Sequence, residues 1–340
     1  MVYPDIQISV VIPTCNRRER LISLLMQLNE SGYPFKEVIV VDSGEDRLNG
    51  EMLSGFKNLS IQYLSSQQSV CLQRNTGIRK AVSDWIFLCD DDIEVPGDYI
   101  LKLLQHIQLH EEAGAVSGIV LQKEEDRWTG IYPVTSAKTL LWNYFFGLSS
   151  WGPVTCKEKN FLVRSVLARY RKKGNHLSKA GWPVLVNFGG AYFTTPVYGL
   201  GASLVKKEWL LKSPYDEVLD RHGIGDNYGV AAGFPAPGIQ VVTSAFVYHH
   251  QDPVNRLQRS LQYYRRTLAL DYFIKTKPAL KNISRFRLLW SLAGQLTGFI
   301  KAGDGVMAKA AFTSIRKILF NRNPYIIAYK KKNTVTEPVF

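Results

Sequence analysis

Three adjacent carboxylates, Asp90, Asp91 and Asp92, follow the apolar run Trp85, Ile86, Phe87 and Leu88 and the thiol of Cys89. The run has the composition of a buried strand, so the acids fall at the rim of a sheet. Like charges at that spacing raise one another's pKa unless a cation neutralises them. Oxygen donors on a short turn suit Mg²⁺ or Mn²⁺, which also bind phosphates. In open α/β sheets, ligands sit outside the carboxyl ends of the strands. Two readings stand on these residues alone. One is a metal–phosphate site. The other is a solvated acidic turn, rich in Asp because Asp favours turns.

The elements that must position this turn lie in residues 1–121. Strand signals cover 8–12, 37–41, 59–64, 85–88 and 115–121. Between them, Leu21, Leu24, Leu25 and Leu28 recur with helical period, as do Ile100, Leu103, Leu104 and Ile107, and 74–83 reads as a helix. Alternating βα units predict an α/β fold with a mostly parallel sheet and helices on both faces. Residues 122–185 read as an insertion with its own helices, carrying an aromatic cluster at 140–146 and a basic run at 169–173. Residues 186–255 return to a compact pattern and end in a strand over 240–248, followed by His249 and His250. A basic helical extension then occupies 256–340.

Bulk properties narrow the class. The chain has 340 residues and 46% hydrophobic content, enough for a sizeable core. Its four cysteines show no metal-binding spacing and read as reduced, mostly buried thiols in a cytoplasmic protein. The first strand begins so early that no signal peptide is expected. No apolar run reaches the ~18–20 residues of a spanning helix. The net charge is +13, yet residues 256–333 hold 17 Lys and Arg against Asp271 and Asp304, which is +15. The rest of the chain therefore carries 13 − 15 = −2. A negatively charged partner is implied for the C-terminal quarter.

Four blocks resemble the family 2 glycosyltransferases with a GT-A, Rossmann-like nucleotide-binding fold. They are ISVVIPTCNR at 8–17, EVIVVDSG at 37–44, QRNTGI at 73–78 with Asp84 and Asp90–Asp92, and the stretch from GLGAS at 199–203 to VYHH at 247–250. Residues 256–266 resemble the helices that follow the catalytic domain in the family's bacterial polysaccharide and rhamnosyl-type members. The resemblance implies an inverting, metal-dependent transfer of a sugar from a UDP- or dTDP-linked donor to a lipid-linked or polysaccharide acceptor. Residues 1–121 would form the nucleotide-sugar half and 186–255 the acceptor and catalytic half.

Site roles follow from the resemblance position by position. Pro13, Thr14 and Asn16 would shape the loop around base and ribose. Asp42 would accept from the base. Arg74 would approach the diphosphate from a helix N-terminus, where anions are favoured. Asp90 and Asp91 would lie toward the nucleotide sugar, and Asp90 and Asp92 form the DxD pair, with Asp92 binding Mn²⁺ or Mg²⁺. His249 or His250 would complete the metal's shell, since neutral imidazole suits Mn²⁺. Asp226, in HGIGDN at 222–227, would be the general base. Gly225 stands where the family often has Glu, and Asp216 is the rival base. Ser43 also departs from the family's frequent acid or Asn.

The tail leaves two readings. Phe286, Leu289, Trp290, Ala293 and Leu296 share a helix face, and Phe299 lies further along it, with Arg285, Arg287 and Lys301 flanking. That pattern suits an interfacial helix on an anionic membrane, which would place the enzyme peripherally on the inner face of the cell membrane. Alternatively, the helices pack on the catalytic part and the charges face water. Nucleic acid is not expected, because no binding motif accompanies the charge. Two rival functions remain at this level. A sugar-1-phosphate nucleotidyltransferase would show a glycine-rich phosphate loop, and residues 12–16 contain no glycine. A non-catalytic sugar-nucleotide binding module would lack a working base.

Overall fold

The computed structural model describes residues 6–158, 160–251 and 257–335. Arg256, where the basic extension was expected to begin, and its last five positions lie outside the described residues. The first half runs β1 (Ile8–Thr14), α1 (Arg18–Glu30), β2 (Glu37–Asp42), α2 (Gly50–Ser54), β3 (Ile61–Ser65), α3 (Val70–Lys80), β4 (Trp85–Cys89), β5 (Ile93–Glu94), α4 (Tyr99–Leu109) and β6 (Ala115–Glu124). The insertion holds β7 (Arg127–Thr129), α5 (Ala137–Phe146), β8 (Ser150–Trp151), α6 (Phe161–Lys173), β9 (His176–Leu177) and β10 (Pro183–Leu185). The chain then forms β11 (Tyr192–Thr195), β12 (Ala202–Lys206), α7 (Lys207–Lys212), α8 (Asp226–Ala231) and β13 (Ile239–His249). Four helices close it: α9 (Arg259–Thr276), α10 (Arg285–Lys301), α11 (Gly305–Leu319) and α12 (Pro324–Lys330).

The main sheet has the order β11-β13-β6-β12-β4-β1-β2-β3. Along this path β1, β2, β3, β4, β6 and β13 share one direction, while β12 and β11 run against them. The expected mostly parallel α/β sheet is therefore present, with one antiparallel strand wedged beside β4. Strands β1, β2 and β4 are buried at every position, as central strands covered on both faces must be. Helix α1 buries the four leucines whose spacing announced it. Helix α3 starts four residues before the expected position. Ser69 caps it, its hydroxyl accepting from the Leu72 amide, so the helix begins at Val70.

The insertion has a core of its own. Val134, Leu140, Val163, Val166, Leu167, Tyr170 and Val184 pack together between α5, α6 and a small three-stranded sheet. The aromatic cluster expected to be helical is α5, and the basic run is the last turn of α6, where cations favour the helix dipole.

The C-terminal helices share the largest core with the rest of the protein. Leu268, Ala269, Tyr272 and Phe273 of α9 join residues of α3, β4 and β12 in one cluster. Asp220, fully buried, accepts from Arg265 at 2.7 Å and from the Tyr325 hydroxyl at 2.5 Å. Asp271, equally buried, binds Arg285 at 2.6 Å and Asn323 at 2.9 Å. The face proposed for a membrane from sequence is divided. Trp290 donates to the Phe145 carbonyl and stacks on Phe146, and Phe299 packs edge-on against Tyr263. Of that face Phe286 is exposed, as are Ile300, Val306, Phe312, Leu319 and Phe320 elsewhere on the tail. Among the described residues no helix is long and apolar enough to cross a membrane.

Candidate active site

The acidic turn follows β4, whose apolar side chains anchor it in the core. Its three carboxylates point to different partners. Asp91 is buried and accepts from Thr14 at 2.7 Å and from Arg17 at 2.9 Å, tying the turn to the end of β1. Burial pushes its carboxyl up to about 6, against the pull of Arg17. Asp92 faces Arg17 at 3.5 Å and the imidazole of His249 at 3.2 Å. Asp90 pairs with Arg74, and its amide donates to the Gly201 carbonyl at 2.8 Å. A Cβ at position 201 would stand 2.2 Å from the Asp90 carboxylate, so glycine is what lets β12 approach this turn.

Arg74 is the hinge of the arrangement. It lies buried in α3 with one guanidinium nitrogen on Asp90 and another on Asp226, and it sits 5.1 Å from the centre of the Tyr215 ring. Burial opposes its charge, but the two carboxylates hold its pKa well above the usual value. Asp226 is the first residue of α8 and is buried. Burial raises its carboxyl to about 6, Arg74 pulling it down and Asp90 pushing it up. The residue before it, Gly225, has φ +96°, a conformation that L side chains rarely adopt. This accounts for the missing Glu: a side chain there would strain the turn that presents Asp226. The rival, Asp216, binds the Tyr272 hydroxyl at 2.9 Å and Lys277 at 2.7 Å, which fastens it to α9.

A cavity of about 700 Å³ lies outside the carboxyl end of the sheet. Pro13, Thr14, Arg74, Asp90, Asp91, Asp92 and His249 line it, so seven of the expected residues meet there. Others sit elsewhere, and the expected base Asp226, buried and paired with Arg74, is not among the lining residues. His250 turns to Glu94 at 2.7 Å, because successive side chains of β13 face opposite ways. Asn16 has left-handed backbone, and its carboxamide accepts from the Glu45 amide at 2.8 Å. Asp42 is buried beneath the loop, accepting from the Gly44 amide at 2.7 Å and from the Tyr63 hydroxyl. Cys71 and Cys89 near the cleft are buried, which raises their thiols well above the usual range and removes them as nucleophiles.

The donor set of Asp90, Asp92 and His249 has the chemistry for Mn²⁺ or Mg²⁺. Among the described residues no three His, Cys, Asp or Glu groups stand at metal-ligand spacing. The guanidinium groups of Arg17 and Arg74 neutralise the acids here.

A second cavity, of about 830 Å³, adjoins the first and shares Asp90, Gln122, Asn227, His249 and Arg266 with it. Its far wall comes from the insertion: Tyr132, Thr135, Ser136, Thr139, Asn143 and Trp151.

Residues 9–155 match the family model described as glycosyl transferase family 2. That segment, somewhat under half of the chain, is similar to the family 2 glycosyl transferases. Among curated relatives, it is 31% identical over 116 residues to YwdF, an uncharacterized glycosyltransferase of Bacillus subtilis, covering 33% of this chain and 43% of YwdF. It is 35% identical over 113 residues to AmsB, an amylovoran biosynthesis glycosyltransferase of Erwinia amylovora, covering 32% of this chain and 36% of AmsB. The matches thus span less than half of these relatives' lengths. The fold is shared with S. aureus TarS 1–349 over 96% of this chain and 92% of that one, with a TM-score of 0.50. At 12% identity that likeness shows the fold alone.

Several residues of the cleft were not singled out from the sequence. Arg17 reaches two of the three acids, and Gln73 donates to the Thr14 and Val41 carbonyls at 2.7 Å each, stitching the ends of β1 and β2. Both lie inside the blocks that carry the family resemblance. Arg259, Gln262 and Arg266 of α9 close the cleft opposite the acids. Their only sequence signal was the basic character of the tail, which does not say which face is turned inward.

Proposed function

We propose that this protein transfers a sugar, with inversion, from a nucleoside-diphosphate sugar to a hydroxyl of a lipid-linked or polysaccharide acceptor. The observation that carries the reading is the double pairing of Arg74. It ties Asp90, which lines both cavities, to Asp226, the candidate base, which is buried next to Asn227 of their shared wall. The first cavity takes the UDP- or dTDP-linked donor. Arginines 17, 74, 221, 259 and 266 line it and suit a diphosphate. The second, with hydroxyl, amide and aromatic groups, suits a saccharide acceptor.

Asp90, Asp92 and His249 would hold the divalent cation. When bound, Mn²⁺ or Mg²⁺ supplies Lewis-acid stabilisation of the charge that grows on the leaving nucleoside diphosphate. Asp226 takes the proton of the acceptor hydroxyl on a carboxylate oxygen, the one acid–base step that inversion needs. A pKa near 6 keeps it ionised at neutral pH yet basic enough for the task. Arg74 masks that carboxylate in the free enzyme, and the donor's diphosphate competes for the same guanidinium. Donor binding therefore unmasks the base.

The C-terminal helices fit a peripheral position on the inner face of an anionic membrane. Exposed Lys301, Lys309, Arg316 and Lys330, with exposed Phe286, Phe312 and Phe320, support this. Flotation with anionic vesicles should be strong at low salt and weaken as salt rises. Failure to float at low salt would remove the membrane from the reading.

The test of the transfer itself is nucleotide release with and without acceptor. Asp92→Ala should abolish transfer and Mn²⁺-dependent nucleotide binding while the fold persists. Full activity of that variant, or of the native enzyme in EDTA, would refute the metal-assisted mechanism.

A further inference from the structure

Away from the cleft, α5, α6, β9 and α10 enclose a cavity of about 380 Å³ that shares no lining residue with the two cavities above. Part of its lining is aromatic: Tyr144, Phe145, Phe146 and Trp290. Phe146 and Trp290 are stacked with centroids 5.0 Å apart, and the Trp290 indole N–H is already given to the Phe145 carbonyl at 3.0 Å. That wall offers a ligand apolar contact and little hydrogen bonding. The lining also carries Lys173, Lys179 and Arg287. No carboxylate lines the cavity, and no ion pair of these three cations is found among the described residues. Three cations around one apolar hollow repel one another until an anion joins them. At its edge Phe145 is 61% exposed, and Phe286, next to Arg287, is 73% exposed.

We propose that this cavity binds a lipid phosphate: a phosphate ester whose charged head meets Lys173, Lys179 and Arg287 and whose chain lies along Phe145, Phe146 and Trp290. The cations alone would suit free phosphate, and the aromatic wall alone any apolar chain. Their presence in one hollow selects a molecule with both parts. The inference does not depend on the transfer reaction, since none of these residues touches the catalytic cleft. It also gives the insertion and α10 a shared task, because neither encloses the hollow alone.

The test is calorimetric titration of the full chain with dioctanoyl phosphatidic acid below its micelle concentration. Inorganic phosphate and dioctanoylglycerol serve as the two half-ligands. The phosphatidic acid should bind at least about 100-fold more tightly than either. The triple variant Lys173→Gln, Lys179→Gln, Arg287→Gln should weaken it by about 1,000-fold, since each of the three charge-assisted contacts is worth roughly a factor of ten. All three side chains are exposed, so the variant should fold, and its nucleotide binding at the sheet edge should be unchanged. Equal binding of inorganic phosphate would show a simple anion site. Equal binding of dioctanoylglycerol, or undiminished binding by the variant, would show an unspecific apolar groove. Any of these results overturns the proposal.

Discussion

The two walls of the catalytic cleft are built on opposite principles. The sheet wall is local: Trp85 to Leu88 bury themselves, and the next residues, Asp90 to Asp92, are thereby delivered to the rim. The helical wall is remote: Arg259, Gln262 and Arg266 reach the same cavity from α9, a helix that follows the last strand of the sheet. The first wall carries the acids and the second much of the positive charge. The proposed metal–diphosphate site would need both signs close together, and this chain adds the cations of α9 to Arg17 and Arg74, which already pair with the acids. The tail is thus part of the site, whatever surface it also meets.

The sharpest way to break this comparison is at the junction. Asp226→Asn should leave donor binding nearly intact and lower turnover by ~10²–10⁴-fold, the usual size of a general-base contribution. The native enzyme's activity should fall as pH drops through about 6, because burial raises the Asp226 carboxyl to that value and protonation removes the base. The sign for stability is the reverse. A carboxyl whose folded pKa is raised favours folding below its unfolded value, and that contribution is lost as pH rises through 6. Activity and this part of stability should therefore trend oppositely across that window. If Asp216→Asn gives the turnover loss and Asp226→Asn does not, the base lies on the α9 side and the junction is misplaced.

A second break concerns how firmly the helical wall is held. Arg265 and Asp220 form a pair that is almost wholly buried, with Tyr325 as a third partner. Removing one member leaves an uncompensated charge in the core, which costs about 3–5 kcal/mol. Arg265→Ala should lose that much in urea unfolding. Arg171→Ala, whose pair with Glu158 is exposed on both sides, should lose at most about 1 kcal/mol. Equal, small losses would mean that the C-terminal helices are a loosely attached appendage.

Much of the sheet wall was legible because its signals are short-range. The leucines of α1 and the apolar runs of β1, β2 and β4 announce burial by period and composition alone. The catalytic junction was legible only through the family resemblance, since Arg74 meets Asp226 across a long span of chain. The choice between His249 and His250 could not be read at all. It depends on β13 pairing antiparallel with β5, where His249 is opposite Ile93 and Tyr248 opposite Glu94. That register aims His249 at Asp92 and leaves His250 for Glu94. In the tail, amphipathic spacing identified a face but not its partner. Trp290 and Phe299 meet other aromatic rings of the protein, and those rings lie far away in sequence.

The mildest effect belongs to the outermost part of the site, the insertion's wall of the second cavity. Trp151 lies on β8, half-buried, with its ring 5.8 Å from Tyr198. An aromatic face in a cavity lined by hydroxyls and amides is a stacking platform for a sugar ring. Its neighbours Thr135, Ser136 and Asn143 supply the hydrogen-bonding groups. Aromatic contacts of this kind contribute about 0.5–1.5 kcal/mol beyond the area they bury. Trp151→Ala should therefore raise the acceptor KM by roughly 10-fold while the donor KM and donor binding stay put. A matched rise in donor KM would assign the second cavity to the donor instead. No change in either would leave the insertion outside substrate recognition and return acceptor binding to the sheet and α9.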